Sequence, residues 1–508
     1  MKIAIIGAGA MGRGIAQVSA AGGHDVLVHD SHMETLGTLH AGIERGLEES
    51  MRRGKLSEAG AGAALSRVGV AESMAEIAGS DIVIEAVVED LETKKQVLST
   101  IESIVSSDAV LATNTSSLSI GAIANGMSKR DRLIGLHFFN PVAAMRLVEI
   151  VVRPETQESV VHTARSFVES LNKTGIRVMD NPGFLVNLAG RSYVTEALAI
   201  VEENVATVDQ VDRIARSVLG FPLGPFELMD LTGLDINLPV TANIFDANFA
   251  DPRLRSTWYH RYLFEAGLLG KKTRGGFYRY DKSPSEDSQV SVSSHPVPQV
   301  LTSTPEVAVH DVSLADRFEA AGIPPSESNV ASLAVVAPFG LDVSTYCARH
   351  GFDPTKTVGV DTMFGDTETL TLMVPPGVAK EQVNELAKQL RTAFAVEVIN
   401  DSPGFIAQRL IATVVNLGCE IAKRGIATPR DIDTAVRLGL RYPHGPLAWA
   451  DICGLAQVVN VLEGLRTVKG DSRYTPSTWL MRRARAGLSI FEDDNIPSSD
   501  RILRPRIH

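Results

Sequence analysis

Apolar positions follow two rhythms over the first 180 residues. Short unbroken runs, KIAIIG, DVLVHD, DIVIEAV, AVLATN and LIGLHFF, alternate with longer stretches in which apolar residues recur every three or four positions: MGRGIAQVSAAGG, METLGTLHAGIERGLEESMRRG and LETKKQVLSTIESIVSS. The first kind predicts buried strands and the second amphipathic helices. Their alternation predicts a parallel sheet with helices on both faces. From 183 to about 270 the strand signal fades, and LVNLAGRSYVTEALAIVEENV and VDQVDRIARSVLG predict a separate all-helical domain.

Residues 281–305, DKSPSEDSQVSVSSHPVPQVLTSTP, are rich in Ser and Pro and predict a semi-extended linker. Beyond it, ASLAVVA, TVGVD, TLTLMV and VEVIN predict a small α/β unit, and a second helical pattern runs from 404 to about 490. That last segment repeats an earlier one. DNPGFLVN at 180–187 recurs as DSPGFIAQ at 401–408, and GFPLGPFELMDLTGL at 220–234 as RYPHGPLAWADICGL at 441–455. Pro182 and Pro403, Asp212 and Asp433, Pro225 and Pro446, and Asp230 and Asp451 all stand 221 apart, so an internal duplication is expected. The resulting plan is 1–180 α/β, 181–280 helical, 281–325 linker, 326–400 a small α/β unit, and 401–495 a second helical copy.

Composition narrows the function. A chain of 508 residues suits about three domains, and 44% hydrophobic against 21% charged residues excludes disorder as the main state. The net charge of −11 disfavours nucleic acid and anionic membrane as partners, so an anionic ligand needs a local cationic patch. Cys347, Cys419 and Cys453 fit neither a disulfide framework nor a zinc spacing. No apolar run is long enough to span a membrane, and the glycines of MKIAIIGAGAMG break any signal-peptide pattern, so a cytoplasmic protein is expected. His24, His29 and His32 flank a strand end and predict no metal site. Arg482, Arg483 and Arg485 read as a solvated helix face.

Gly7, Gly9 and Gly12, with Ala8, Ala10 and Met11 between them, form GxGxxG between a strand and a helix. The first glycine turns tightly, the second lets a pyrophosphate approach the helix N-terminus, and the third packs helix on strand. Asp30 ends the next strand, where a carboxylate accepts from an adenosine ribose and repels a 2′-phosphate, so NAD is expected over NADP. This makes residues 1–180 a Rossmann-type domain. Further on, His137 lies in an apolar strand, and Glu149 lies in a second strand beyond the Asn140-Pro141 turn. A hairpin of that length returns the carboxylate to the imidazole, and a histidine near nicotinamide suits removal of a hydroxyl proton as hydride leaves the same carbon.

In order, GAGAMGRGIA, EAVVEDLETK, NTSSLSI, GLHFFNPV, LVEIV, DNPGFLVN and GFPLGPFELMDLTGLD, closed by GKKTRGGFYRY, resemble the L-3-hydroxyacyl-CoA dehydrogenase family over residues 1 to about 280. The resemblance returns in weakened form from 401 to 490. It implies NAD-dependent oxidation of an L-3-hydroxyacyl-CoA to the 3-ketoacyl-CoA, with His137 as base, Glu149 as its orienting carboxylate, and Ser116 and Asn187 holding the substrate's 3-oxygen. It further implies that Glu89, Lys94, Ser116, Asn140 and Lys272 line the dinucleotide site, and that Ser50, Lys55, Ser116 and Asn140 meet the acyl-CoA. No metal is implied. Its longer bacterial members, including those of phenylacetate-type aromatic degradation, imply 3-hydroxybutyryl-CoA or 3-hydroxyadipyl-CoA as substrate, within fatty-acid or aromatic-acid β-oxidation.

This chain departs from the family's PGFIVNR: Leu188 and Ala189 follow Asn187, and the arginine is displaced to Arg191. The repeat has Gln408 in place of Asn187 and lacks the dyad. The middle unit reads as a remnant nucleotide-binding half ending at the acidic Asp361, its loop Ala337-Pro338-Phe339-Gly340 too poor in donors for a dinucleotide. Two other readings stay open: a dehydrogenase of a free hydroxy acid such as L-gulonate, and a C-terminal half that is purely an interaction module. Residues 401–490 are expected to pack on 183–280, within one chain or across a homodimer.

Overall fold

The computed structural model describes residues 1–280, 307–323, 333–365 and 367–492. These fall into two compact units: Met1–Leu188 with Ile421–Leu440, and Ala189–Glu420 with Arg441–Glu492.

In the first unit, eight strands, β1 (Lys2–Ile6), β2 (Asp25–His29), β3 (Val68–Val70), β4 (Ile82–Glu85), β5 (Val110–Thr113), β6 (Leu133–Phe138), β7 (Leu147–Val152) and β8 (Thr174–Met179), form a sheet of order β3-β2-β1-β4-β5-β6-β7-β8. Every pair is parallel except β6 with β7. Strands β4 to β7 are buried at every position, the signature of a sheet covered on both faces. Ile3 and Ile5 of β1, Ile15 of the helix Ala10–Ala21, Ile43 of Leu39–Arg52 and Phe167 of Glu158–Ser170 share one apolar core. The long helix expected from Met33 breaks at Thr38 into Met33–Gly37 and Leu39–Arg52.

In the second unit the helices run Arg191–Glu202, Val208–Ser217, Pro225–Thr232, Leu234–Ala247 and Trp258–Glu265. The Asp230 carboxylate accepts from the Phe277 and Tyr278 N–H groups, both at 3.0 Å, and from the Tyr280 hydroxyl at 2.9 Å, tying the DLTG helix to the closing GGFYRY segment.

The strands β9 (Val307–Val309), β10 (Leu333–Val336), β11 (Thr357–Val360), β12 (Thr369–Val374) and β13 (Ala395–Asn400) build a second sheet of order β13-β12-β11-β10-β9. Part of the expected linker is therefore structured. Val307 pairs with Leu333, and the following helix buries Leu314 and Phe318, so the α/β unit begins at 307 rather than 326. Residues 281–306 lie outside the described residues.

The topology also revises what this unit is. From β13 to β9 its pairings run parallel, antiparallel, parallel, parallel, and those from β8 to β4 run the same way. It copies the second half of the Rossmann domain, not the nucleotide-binding first half. The duplication therefore reaches upstream of the helical domain.

The copies interlock reciprocally. In the first unit the Met179 N–H donates to the Ile426 carbonyl at 2.8 Å; in the second the Asn400 N–H donates to the Val205 carbonyl at 3.0 Å. Adding 221 to Met179 and Val205 gives Asn400 and Ile426, the exchange of partners that defines an isologous, two-fold contact. Within the second unit Arg409, fully buried, donates to Glu196 at 2.7 Å and to Glu203 at 2.8 Å, and the Tyr474 hydroxyl donates to Glu196 at 3.0 Å. The expected packing of the two helical copies thus occurs within one chain. Removing one partner of a buried ion pair strands the other charge in low dielectric. Arg409→Met should therefore lower stability by about 3–5 kcal/mol, read as a fall in the urea midpoint; an unchanged midpoint would show that this cluster does not join the copies.

Candidate active site

The dinucleotide end of the site is set by backbone. Gly7 sits at φ +107°, and a Cβ there would lie 2.5 Å from the Ala86 carbonyl oxygen; a Cβ on Gly12 would lie 1.8 Å from that of Gly7. Both positions exclude a side chain. Gly9 is different: its Cβ would meet nothing within 4 Å, which leaves open space over the start of the helix Ala10–Ala21, whose first turn carries no acidic residue. That is the opening a pyrophosphate needs at the positive end of a helix. Gly9 and Ala10 are exposed and Met11 half-buried there, while Ala8 is buried.

The Ala8 N–H donates to Asp30 at 2.7 Å and the His32 N–H at 2.9 Å. Partial burial opposes ionisation of Asp30, but these bonds outweigh it and hold the carboxyl below its ordinary value. A fixed anion at the tip of β2 accepts ribose hydroxyls and repels an added phosphate. The residues present fit NAD.

The candidate catalytic pair sits where β6 meets β7. His137 and Glu149 are register partners in the antiparallel pair, so their side chains leave the same face side by side. His137 Nδ1 lies 2.6 Å from Glu149 Oε2. With a carboxylate as acceptor, Nδ1 carries the hydrogen and Nε2 keeps its lone pair. Glu149 is wholly buried, and its other oxygen accepts from the Leu185 and Val186 N–H groups at 3.1 and 2.8 Å. One carboxylate therefore fixes both the imidazole and the PGFLVN turn that carries the half-buried Asn187. The Phe139 and Phe184 rings flank the imidazole, with centroids at 4.3 and 5.6 Å.

The NTSS turn reaches the same strand ends. Asn114 Oδ1 accepts from the Phe138 N–H at 2.9 Å, joining the turn to β6. Glu89 accepts from the Thr115 hydroxyl at 2.7 Å and the Ser116 N–H at 3.0 Å. Ser116 itself is exposed, as is Asn140.

Ser50 and Lys55 are drawn together by a backbone bond from Lys55 N–H to the Ser50 carbonyl at 2.9 Å, closing a turn at Gly54. The sequence reading missed Lys173, whose ammonium donates to the Val142 and Met145 carbonyls at 2.6 Å each, in the segment after Asn140-Pro141. Burial, with repulsion from Lys55, pulls its pKa down to about 8.

One expected dinucleotide contact stands otherwise than expected. Lys94 is wholly buried and pairs with Glu85 at 2.7 Å and Glu89 at 3.4 Å, so among these residues only Glu89 is exposed enough to line the site. Lys272 belongs to the second unit, where it pairs with Asp235 at 2.5 Å.

The duplicated sheet retains the outline of this site without its chemistry. Strand register places Thr371 where Glu149 stands and Asp361 where His137 stands, its N–H donating to the Thr371 carbonyl at 3.3 Å. Phe339 takes the place of Ser116 and Gln408 that of Asn187. Gln408 is fully buried; it donates to Asp361 at 2.9 Å and accepts from the Gly340 N–H at 3.0 Å, while burial pushes the Asp361 carboxyl up to about 6. Asp361 is therefore a counterpart of His137, not of Asp30.

Comparison with known proteins agrees with this division. Residues 2–181 match the 3-hydroxyacyl-CoA dehydrogenase NAD-binding domain, and residues 183–280 and 404–489 both match the 3-hydroxyacyl-CoA dehydrogenase C-terminal domain. The 3-hydroxyadipyl-CoA dehydrogenase of Escherichia coli K12 is 33% identical over 95% of this chain and 97% of its own. The 3-hydroxybutyryl-CoA dehydrogenase of Clostridioides difficile is 36% identical over 56% of this chain and the whole of its own. A crystal structure of 3-hydroxybutyryl-CoA dehydrogenase from Escherichia coli K12 superposes with a TM-score of 0.84 at 31% identity, covering 96% of this chain and 98% of that one. With a paired His137 and Glu149 and an open glycine loop in its first unit, and with family matches over its NAD-binding domain and both of its helical copies, the chain belongs to the 3-hydroxyacyl-CoA dehydrogenase family.

Proposed function

We propose that this chain oxidises L-3-hydroxyacyl-CoA thioesters to 3-ketoacyl-CoA with NAD, at a single site built on its first copy. The observation that carries the reading is the buried His137–Glu149 pair, at the same strand ends of the sheet as the glycine loop. When bound, NAD supplies the hydride acceptor. His137 Nε2 takes the hydroxyl proton, and the Glu149 carboxylate stabilises the imidazolium that forms. Ser116 and Asn187 hold the 3-oxygen, and fixed alignment of alcohol and acceptor supplies much of the rate.

Asp30, Glu89 and Asn140 line the dinucleotide site in this reading. Ser50 and Lys55, with Lys173 added from the structure, form the cationic patch that the acidic chain needs to meet the phosphates of coenzyme A. The full-length relative's name favours a short or dicarboxylic acyl group, 3-hydroxyadipyl-CoA among them. The helical pairing is internal, so a homodimer through that face is not required. No described helix is long and apolar enough to cross a membrane.

NADH oxidation followed at 340 nm with acetoacetyl-CoA, against free acetoacetate, tests the substrate class; turnover of the free acid alone would move the chain to a hydroxy-acid dehydrogenase. His137→Ala should lower kcat by about 10²–10⁴-fold while NADH affinity, read by fluorescence titration, holds; wild-type kcat would overturn the assignment of the base. Glu149→Gln removes the charge and sets an amide NH2 against either the His137 Nδ1 hydrogen or the Leu185 and Val186 N–H groups. It should lower kcat more than KM, whereas equal and small effects on both would reduce Glu149 to a packing residue.

A further inference from the structure

Glu85 is an acid placed where a parallel strand should be apolar. It ends β4, in register with Thr113 at the end of β5, and is wholly buried. Its hydrogen bonds are complete: Oε2 accepts from the Thr113 hydroxyl at 2.6 Å, and Oε1 accepts from the Val87 N–H and the Lys94 ammonium, both at 2.7 Å. Lys94, equally buried, reaches on to Glu89 Oε2 at 3.4 Å. The opposite oxygen of Glu89 takes the Thr115 hydroxyl and the backbone N–H groups of Ser116 and Ser117 at 2.7, 3.0 and 3.2 Å. A chain of charge-assisted bonds thus runs from the floor of the sheet to the serine turn.

Two features show what that chain can do. First, Glu89 grips Ser116 by its backbone, while the Ser116 hydroxyl stands 3.4 Å away, close to the limit of a hydrogen bond. The turn is fixed and its hydroxyl is left able to rotate to another acceptor. Second, two carboxylates share one ammonium. Burial disfavours a charged Glu89, yet the Thr115 hydroxyl, Lys94 and the Ser116 N–H overcome it and keep its pKa low. Neutralising Glu85 would leave Glu89 as the sole carboxylate partner of Lys94. The ammonium would draw Glu89 inward, away from the serine N–H groups.

We propose that Glu85 is a positioning residue for the oxidation: through Lys94 and Glu89 it holds the Ser116 turn where the Ser116 hydroxyl meets the substrate's 3-oxygen. This rests on the reading of Ser116 as a substrate contact given above. It differs from a fold brace in one measurable respect, because its effect on turnover must pass through Ser116.

The test is a double-mutant cycle of Glu85→Gln and Ser116→Ala in the full chain, with kcat and KM for acetoacetyl-CoA and NADH affinity measured for each. Glu85→Gln should lower kcat about tenfold with KM little changed, and adding it to Ser116→Ala should cost less than about a further twofold, since residues acting as one unit are not additive. Glu85→Asp keeps the charge and should regain most of the rate; if Glu85→Gln does not fold, Glu85→Asp carries the same cycle with a smaller loss. A wild-type kcat in Glu85→Gln, or a loss in either Glu85 variant repeated in full on the Ser116→Ala background, would overturn the proposal. A wild-type kcat in Ser116→Ala would instead overturn the reading of Ser116 on which it rests.

Discussion

The Glu149 carboxylate is the joint on which the catalytic half depends. It lies on β7, opposite His137 on β6, and has four bonding sites to fill in a setting without water. The imidazole takes one oxygen, and two backbone N–H groups of the PGFLVN turn take the other. Strand pair, imidazole and the PGFLVN turn are therefore held by one anion. Its cost of burial is offset by three donors. The antiparallel pairing of β6 and β7 is what makes this possible: a parallel neighbour would place the return strand a crossover away, beyond the reach of a twelve-residue hairpin.

The duplicate shows what becomes of such a joint when the chemistry is withdrawn. Thr371 replaces the acid, Asp361 the base, and Gln408 closes the space by bonding the loop at Gly340 and Asp361 together. Gly340 is pinned from outside as well, since a Cβ there would stand 2.4 Å from the Val461 carbonyl oxygen. Where the first copy leaves Gly9 facing open space, the second turns its donors and acceptors on itself. Among the described residues it also has no counterpart of β1 to β3, the strands that carry the glycine loop and Asp30. A sheet can lose its cofactor half and still fold, because β9 to β13 keep a core of their own with Val335, Val358, Leu372 and Leu386.

Much of this was legible in the sequence, for definite reasons. Strands buried on both faces leave continuous apolar runs, and the twelve-residue interval from His137 to Glu149 fits a hairpin, so the dyad could be read by counting. The constant displacement of 221 betrayed the repeat because the same prolines and aspartates recur in register, Asp212 and Asp230 each being fixed by backbone N–H groups. What escaped lies in side-chain direction and pairing sense. An acid at the end of a strand made the middle unit read as a remnant nucleotide-binding half ending at Asp361, but only the antiparallel β11–β12 register shows that Asp361 stands in for His137. Lys94 was assigned to the dinucleotide by its motif, whereas helix rotation turns it inward to Glu85. Val307–Val309 was masked by the Ser/Pro composition before it, and three residues carry too little periodicity to be seen.

The retained second copy has a physical reason that does not involve catalysis. An isologous contact needs two like surfaces, and each copy here supplies the cover for the other's outer strand: Ile426 caps β8 by its carbonyl, and Val205 caps β13 by its own. An uncapped outer strand presents a row of free donors and acceptors, which invites pairing with other chains. Fusion makes the second surface available at fixed concentration whatever the amount of protein. Under that arrangement the constraint on the duplicate is to preserve the outer strand, the capping carbonyl and the buried Arg409, which meets Glu196 and Glu203 of the first copy.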